Sequence, residues 1–212
     1  YMIPVTKTFF PPIEAYQREV ERIWVNQWIT NRGELVLELE EKLKNYPEAL
    51  QSFQKASELA PKNSDLLVNQ ATIYFYQKEY ESAKSVLEKA EGINPLEPNL
   101  HNLRSMISFE EKDYAGAVKA VEKAIALDNR QAYFYNNHGL YLLYGNQLEE
   151  GLTLINQSLA MDSKNPFALR NKGIYYTLTG DKVSALSYLE ELAVSHPDMD
   201  LVKEYLAKAR AL

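Results

Sequence analysis

The apolar positions of this chain fall into stripes at helical spacing. Near the N-terminus Ile13, Tyr16, Val20, Ile23, Trp24 and Trp28 recur every three or four residues, which places them on one face of an α-helix. Pro11 and Pro12 stand where that helix can begin, and Thr30 to Gly33 breaks it. Val36, Leu39 and Leu43 line one side of a second helix, which runs directly into Tyr46 and Pro47. At the far end Leu201, Tyr205 and Leu206 share a face, while Lys203, Glu204, Lys208 and Arg210 fall mostly on the others. Such a helix covers an apolar surface with one side and meets water with the rest. β-Branched residues rarely cluster, and eight Gly and nine Pro are few for 212 residues, so the pattern predicts an all-α chain.

Between these ends the pattern repeats. Shifted by 34 residues against itself, the chain aligns Ala49, Ala83, Ala117, Gly151 and Ala185 in one column. Ala56, Ala90, Ala124 and Ser158 form a second, which Leu192 leaves, and Ala71, Ser105, Gly139 and Gly173 form a third. Tyr46, Tyr80 and Tyr114 open a fourth, continued by Leu148 and Lys182, and Pro61, Pro95, Asn129, Ser163 and Pro197 make a fifth. Small residues at matched places on two consecutive helices predict a hairpin whose backbones approach closely. Phe53, Leu87, Val121, Ile155 and Leu189 fill the space between the helices, and Pro or a short polar residue ends the second one. One hairpin cannot bury its apolar face alone, so the units are expected to stack, with the first helices lining a concave face.

The 34-residue period with these columns resembles the tetratricopeptide repeat family. The likeness covers residues 46 to about 199 and implies an all-α, right-handed superhelix of stacked helix hairpins. About five repeats fall at 30–63, 64–97, 98–131, 132–165 and 166–199, with residues 200–212 as a capping helix. The chain thus divides into a helical leader, residues 1–45, and a solenoid, residues 46–212. In this family the usual ligand is an extended peptide or partner protein in the concave groove, which implies a non-catalytic interaction scaffold.

Carried over position by position, the family's groove asparagine matches Asn69, Asn137 and Asn171, while Leu103 departs from it. Neighbouring groove positions hold Asn102, Asn136 and Arg170; the next turns carry Thr72, Met106 and Leu140, then Tyr76 and Tyr144. An amide offers donors and an acceptor, so a ladder of asparagines can bond both N–H and C=O of a bound backbone. Equally, the amides can serve to join neighbouring helices. Members that grip a C-terminal carboxylate need several cations at these positions, and here only Arg170 stands among them. Most of the 15 Tyr and 7 Phe fall between helices, as Tyr74, Tyr80, Tyr114 and Tyr176 do, and are assigned to the core.

The leader does not fit the repeat, because Gly33, Leu37 and Glu40 stand where the family prefers aromatic, small and aromatic residues. Its motifs are Ile3-Pro4-Val5-Thr6-Lys7, Pro11-Pro12-Ile13-Glu14, Trp28-Ile29-Thr30-Asn31-Arg32-Gly33 and Leu39-Glu40-Glu41-Lys42-Leu43. Together they resemble the extreme N-terminus of DegT/StrS-type sugar aminotransferases, which use pyridoxal phosphate. The resemblance implies that Thr30, Asn31 and Gly33 correspond to a stretch near the cofactor. In that family the Schiff-base lysine and the acid partnering the pyridine nitrogen belong to a large α/β domain far downstream. These residues hold no such domain, so neither cofactor nor transamination is expected. The same leader also reads as a plain helical cap, its second helix replacing the missing first helix of repeat one. Two alternatives to the scaffold follow. One is a chimera, natural or engineered, whose leader caps the solenoid or drives self-association into a homo-oligomer. The other is an aminotransferase remnant that is inactive alone.

Composition narrows the chemistry. With 23 basic against 29 acidic residues the net charge is −6, without any basic run, so nucleic acid is not an expected partner. There is no cysteine to form a disulfide or act as a nucleophile. His101, His138 and His196 never pair at the spacing that sets two ligands on one helix face, so no metal is expected. Ser52-Phe53-Gln54-Lys55 matches a serine–lysine pattern by letter, yet it lies on a repeat helix without companion motifs. No apolar run reaches the ~18 residues of a membrane span, and residues 2–7 do not read as a signal peptide. The expected setting is the cytoplasm, with no membrane partner.

Overall fold

The computed structural model describes residues 60–212 together with 50, 53, 54, 56 and 57. The leader, its aminotransferase motifs and most of the first repeat lie outside the described residues. Among the described residues the labelled elements are all α-helices: α1 (Ser64–Tyr76), α2 (Tyr80–Ile93), α3 (Pro98–Glu110), α4 (Tyr114–Leu127), α5 (Ala132–Tyr144), α6 (Leu148–Met161), α7 (Pro166–Thr179), α8 (Lys182–Ser195) and α9 (Val202–Ala211). First helices therefore begin at Ser64, Pro98, Ala132 and Pro166, in step with the 34-residue period.

Local chemistry explains these bounds. Asn63, Asp113, Asn165 and Asp181 cap α1, α4, α7 and α8, each side chain accepting from an amide in the first turn. The second helices α2, α4 and α6 end in an Asx turn, where Asn94, Asp128 and Asp162 accept the amides of Leu96, Arg130 and Lys164 at 3.1–3.3 Å. First helices end differently. Lys78, Lys112, Asn146 and Gly180 share a left-handed backbone, with φ between 62° and 82°. The next amide in each case, from Glu79, Asp113, Gln147 or Asp181, donates to the carbonyl five residues back at 2.8–2.9 Å. This is the six-to-one closure of a Schellman turn, which favours glycine, and only the last turn has one.

The chain forms two compact units, residues 1–107 and 108–212. In the first, α1 pairs with α2, and Ala71, Ala83, Leu87, Ala90, Leu100 and Leu103 are fully buried. In the second, α5 pairs with α6 and α7 with α8, while α4 packs on α5, α6 on α7 and α8 on α9. First helices also touch one another, α5 with α7 and α7 with α9, so they form a layer of their own. Val121, Phe134, Ile155, Ile174 and Leu189 fill its core. The small columns face each other as expected: a Cβ added at Gly139 would sit 2.7 Å from the Gly151 carbonyl oxygen, and one at Gly151 would sit 2.9 Å from that of Gly139. Aromatic rings bridge helices, with Phe109 5.0 Å from both Tyr141 and Tyr144 and Tyr114 5.5 Å from Tyr144, centroid to centroid.

Candidate functional site

The predicted groove positions divide by burial. Asn69, Thr72 and Asn102 in the first unit, and Asn136, Leu140, Arg170 and Asn171 in the second, are buried. Tyr76, Met106, Asn137 and Tyr144 are half-buried and keep part of their surface open. Thr72 turns its hydroxyl back to the Val68 carbonyl at 2.9 Å, and the Asn102 amide faces the Met106 sulfur at 3.6 Å.

In the second unit the asparagines do not form an open ladder. Asn171 on α7 is fully buried; its Nδ2 donates to Asn136 Oδ1 on α5 at 2.7 Å, and its Oδ1 accepts from Arg170 Nε at 2.9 Å. Arg170 also donates from Nη1 to the Asp200 carbonyl at 3.3 Å, and its guanidinium lies 5.3 Å from the centre of the Phe167 ring. A buried amide must find partners because water cannot reach it, and the residue one position before each groove asparagine supplies them. Asn171 joins α7 to α5, the other role open to these amides, and of Asn137 and Asn171 only the former keeps open surface. Arg170, the single cation among the groove positions, is spent on the same network.

The last helix reaches this face too. Tyr205 falls 34 residues after Asn171, in the groove asparagine's own column, and is buried with Leu206 and Ala209. Its side chain hydrogen-bonds Tyr144 at the end of α5. Burial, followed by this hydrogen bond and by the charges of Tyr205 and Glu204, pushes the Tyr144 phenol far above its ordinary range, with Arg170 opposing. Packing runs from α5 to α7 and from α7 to α9, so α9 continues the row of first helices.

Elsewhere the described residues hold no group of three or more His, Asp or Glu able to bind a metal. His101 Nε2 pairs with the Pro95 carbonyl and His196 Nδ1 with Ser195 Oγ, both at 2.9 Å. His138 lies on α5 with Nε2 3.9 Å from Glu122 Oε1, while its buried Nδ1 has no hydrogen-bond partner. Burial lowers its pKa against the pull of Glu122 and Glu150. In a shallow recess bordered by Pro61, Lys62, Asp65 and Glu97, burial raises the Glu97 carboxyl despite the opposing Asn99 amide, and Asp65 adds to the rise. No helix among the described residues is long and apolar enough to cross a membrane.

Two models of the tetratricopeptide repeat match the sequence, at residues 42–107 and 98–131, and the helix register continues the same period beyond them. Residues 42–131 are tetratricopeptide repeats, and the chain shares the fold of tetratricopeptide-repeat proteins. Among solved tetratricopeptide-repeat structures, TTC0263 of Thermus thermophilus has a TM-score of 0.67 at 17% identity, covering 87% of this chain and 100% of that one. YrrB, described as having an unusual peptide-binding site, has a TM-score of 0.56 at 20% identity, covering 92% and 98%. PilF of Pseudomonas aeruginosa has a TM-score of 0.59 at 21% identity, covering 81% and 76%. At these identities the likeness is one of fold. A tetratricopeptide array is in general a protein-interaction scaffold and typically not an enzyme. A separate likeness is short: the dTDP-4-amino-4,6-dideoxy-D-glucose transaminase of Escherichia coli is 46% identical over 41 residues, 19% of this chain and 11% of that enzyme. The chain thus spans about a tenth of the curated relative it matches.

Proposed function

We propose that this chain is a non-catalytic scaffold whose first helices, in each unit taken by itself, hold a peptide or partner protein. One observation carries the reading: the groove positions that keep open surface are Tyr76 and Met106 in the first unit and Asn137 and Tyr144 in the second. Aromatic and methionine side chains supply contact area, and an amide supplies hydrogen bonds to a backbone. With Arg170 tied to Asn171 and Asp200, the ligand is gripped along its length rather than by a terminal carboxylate. YrrB, of the same fold, is described as having a peptide-binding site, which supports a peptide as the ligand class.

A peptide array probed with the labelled chain supplies ligands, and calorimetry then compares the parent with Met106→Ala and Asn137→Ala. Loss of the Asn137 amide is expected to cost about 0.5–1.5 kcal/mol of binding, the worth of one neutral hydrogen bond. Met106→Ala weakens binding as well, whereas Val183→Ala, at a side chain 80% exposed on α8, leaves it unchanged. Parental affinity in both groove variants would move recognition off the first helices.

The 46% identity to a transaminase over 41 residues favours a second reading for the leader, as a segment of aminotransferase descent joined to the repeats. On that reading the protein retains no pyridoxal phosphate. After incubation with the cofactor and dialysis, absorbance at the aldimine band is expected at background; a stoichiometric retained chromophore would make the chain a cofactor binder.

A further inference from the structure

We infer that His138 makes the α4–α5 seam of the second unit an acid-operated joint, closed while its imidazole is neutral and loosened when the ring takes up a proton. Its consequence for binding rests on the scaffold reading above; the joint itself does not.

The residue type is the first sign. His138 belongs to a column of polar side chains at the 34-residue period, Gln70, Arg104, His138 and Lys172, one in each first helix from α1 to α7. In the first unit Arg104 on α3 binds Glu91 on α2 at 2.7 Å, and a guanidinium keeps its charge at any physiological pH. In the second unit the same place on α5 holds an imidazole, whose Nε2 lies 3.9 Å from Glu122 Oε1 on α4. One seam is thus tied by a permanent charge, while its counterpart holds a group that changes charge between about pH 5 and 8.

The seating of the ring decides which state the seam prefers. The His138 side chain is 12% exposed, and its buried Nδ1 has no hydrogen-bond partner among the described residues. A neutral imidazole can leave Nδ1 without a proton and hold its N–H on Nε2, toward Glu122. An imidazolium carries N–H on both atoms, so a charged donor would stand buried with nothing to accept it. Two carboxylates pull the other way, Glu122 from α4 and Glu150 from α6. Glu122 is 59% exposed, so water screens its pull, and burial outweighs both carboxylates, holding the ring's pKa below its usual value. Other charges nearby are engaged or solvated. Lys119 and Lys123 of α4 are exposed, and Glu149 of α6 accepts from the Tyr175 hydroxyl at 2.8 Å. From α7, which also packs on α5, Arg170 turns to Asn171 and the Asp200 carbonyl and Lys172 lies over the Tyr188 ring. α5 carries no other charged side chain.

The protonated ring therefore has to reach water, and the packing favours one way. Gly139, the next residue, is where α5 meets α6 backbone to backbone, an added Cβ there lying 2.7 Å from the Gly151 carbonyl oxygen. That contact holds α5 on α6, so the ring gains water by parting α4 from α5. Asn137 precedes His138 on α5, so on the scaffold reading the same event weakens what that amide holds.

Hydrogen exchange of the full chain without ligand, at about pH 7.5 and about pH 5 and corrected for intrinsic rates, tests the joint. With an open-state pKa near 6.5, protection at the seam can fall by at most about thirtyfold at the lower pH. Amides of α4 and α5 are expected to lose roughly threefold more protection than those of α7 and α8, with a midpoint that follows the NMR titration of the His138 imidazole. His138→Gln, with His138→Leu in its place should that variant not fold, abolishes the difference. Equal protection of α4 and α5 at both pH values overturns the joint, as does a loss shared evenly by α4 to α8. So does a loss that survives in the folded variant or whose midpoint departs from the imidazole titration. Calorimetry of Asn137→Ala at neutral pH tests the scaffold reading instead, so the two can fail separately.

Discussion

Gly139 on α5 and Gly92 on α2 are both helical glycines, yet the structure assigns opposite signs to the same substitution. At Gly139 an added Cβ would lie 2.7 Å from the Gly151 carbonyl oxygen and 2.7 Å from Ile155 Cγ1, where ordinary contact begins near 3.4 Å. The side chain of Ile155 can turn away, but the carbonyl belongs to the backbone of α6, so the helices must part by about 0.7 Å. Overpacking of this kind costs about 1–3 kcal/mol, against roughly 1 kcal/mol gained when alanine replaces glycine inside a helix. The net expectation for Gly139→Ala is a loss of up to about 2 kcal/mol. At Gly92 nothing lies within 4 Å of the added atom, so only the propensity gain remains, and Gly92→Ala should stabilise by about 0.5–1 kcal/mol. Thermal melts of both variants beside the parent give the comparison, with 1 kcal/mol worth about 2–4 °C in a chain of this size. Hydrogen exchange of α5 and α6 then localises the loss. If Gly139→Ala melts at or above Gly92→Ala, the hairpin backbones do not meet at the small columns, and the packing argument fails.

Other consequences follow from single side chains. Lys112→Gly, at a left-handed turn position with φ 65°, should raise the melting point through a gain of ~0.5–1 kcal/mol; an unchanged melt would show that the turn holds no strain. Ser158 is fully buried and its hydroxyl has no hydrogen-bond partner, so Ser158→Ala is expected to stabilise by ~1 kcal/mol, and a destabilised variant would reveal a partner the geometry lacks. Burial holds the His138 pKa below its usual 6.5, so the unfolded chain binds more protons than the folded one as pH falls. Stability contributed by neutral His138 is therefore complete above about pH 6.5 and lost as pH drops through the folded pKa. The pH dependence of unfolding should flatten in His138→Gln, and a slope identical to the parent's would remove His138 as its source.

The repeat was legible because sterics wrote it. Where two backbones touch, as at Gly139 and Gly151, only small residues fit, and the same demand recurs every 34 residues. The left-handed column was not legible, since Lys78, Lys112 and Asn146 are ordinary surface residues and their turn is set by hydrogen bonds of the preceding helix. The amide network was half legible. Asparagine at 136, 137 and 171 announced polar contacts, but which amide turns toward a neighbouring helix depends on a rotation of one residue, and that placed Asn171 on Asn136 rather than in an open ladder. Tyr205 could have been placed by counting 34 residues from Asn171; its apolar stripe pointed instead to a cap alone. The aminotransferase motifs of the leader lie outside the described residues.

Recognition along the first helices is most directly tested by site-specific photo-crosslinking in the source cells. Benzoylphenylalanine is placed singly at Met106 or Asn137 on first helices, and at Val183 or Val194, which are 80% and 84% exposed on α8. Crosslinked partner fragments, identified by mass spectrometry, are predicted from Met106 and Asn137 and not from Val183 or Val194. Fragments captured only at Val183 or Val194 would put the partner on the second helices and contradict the account.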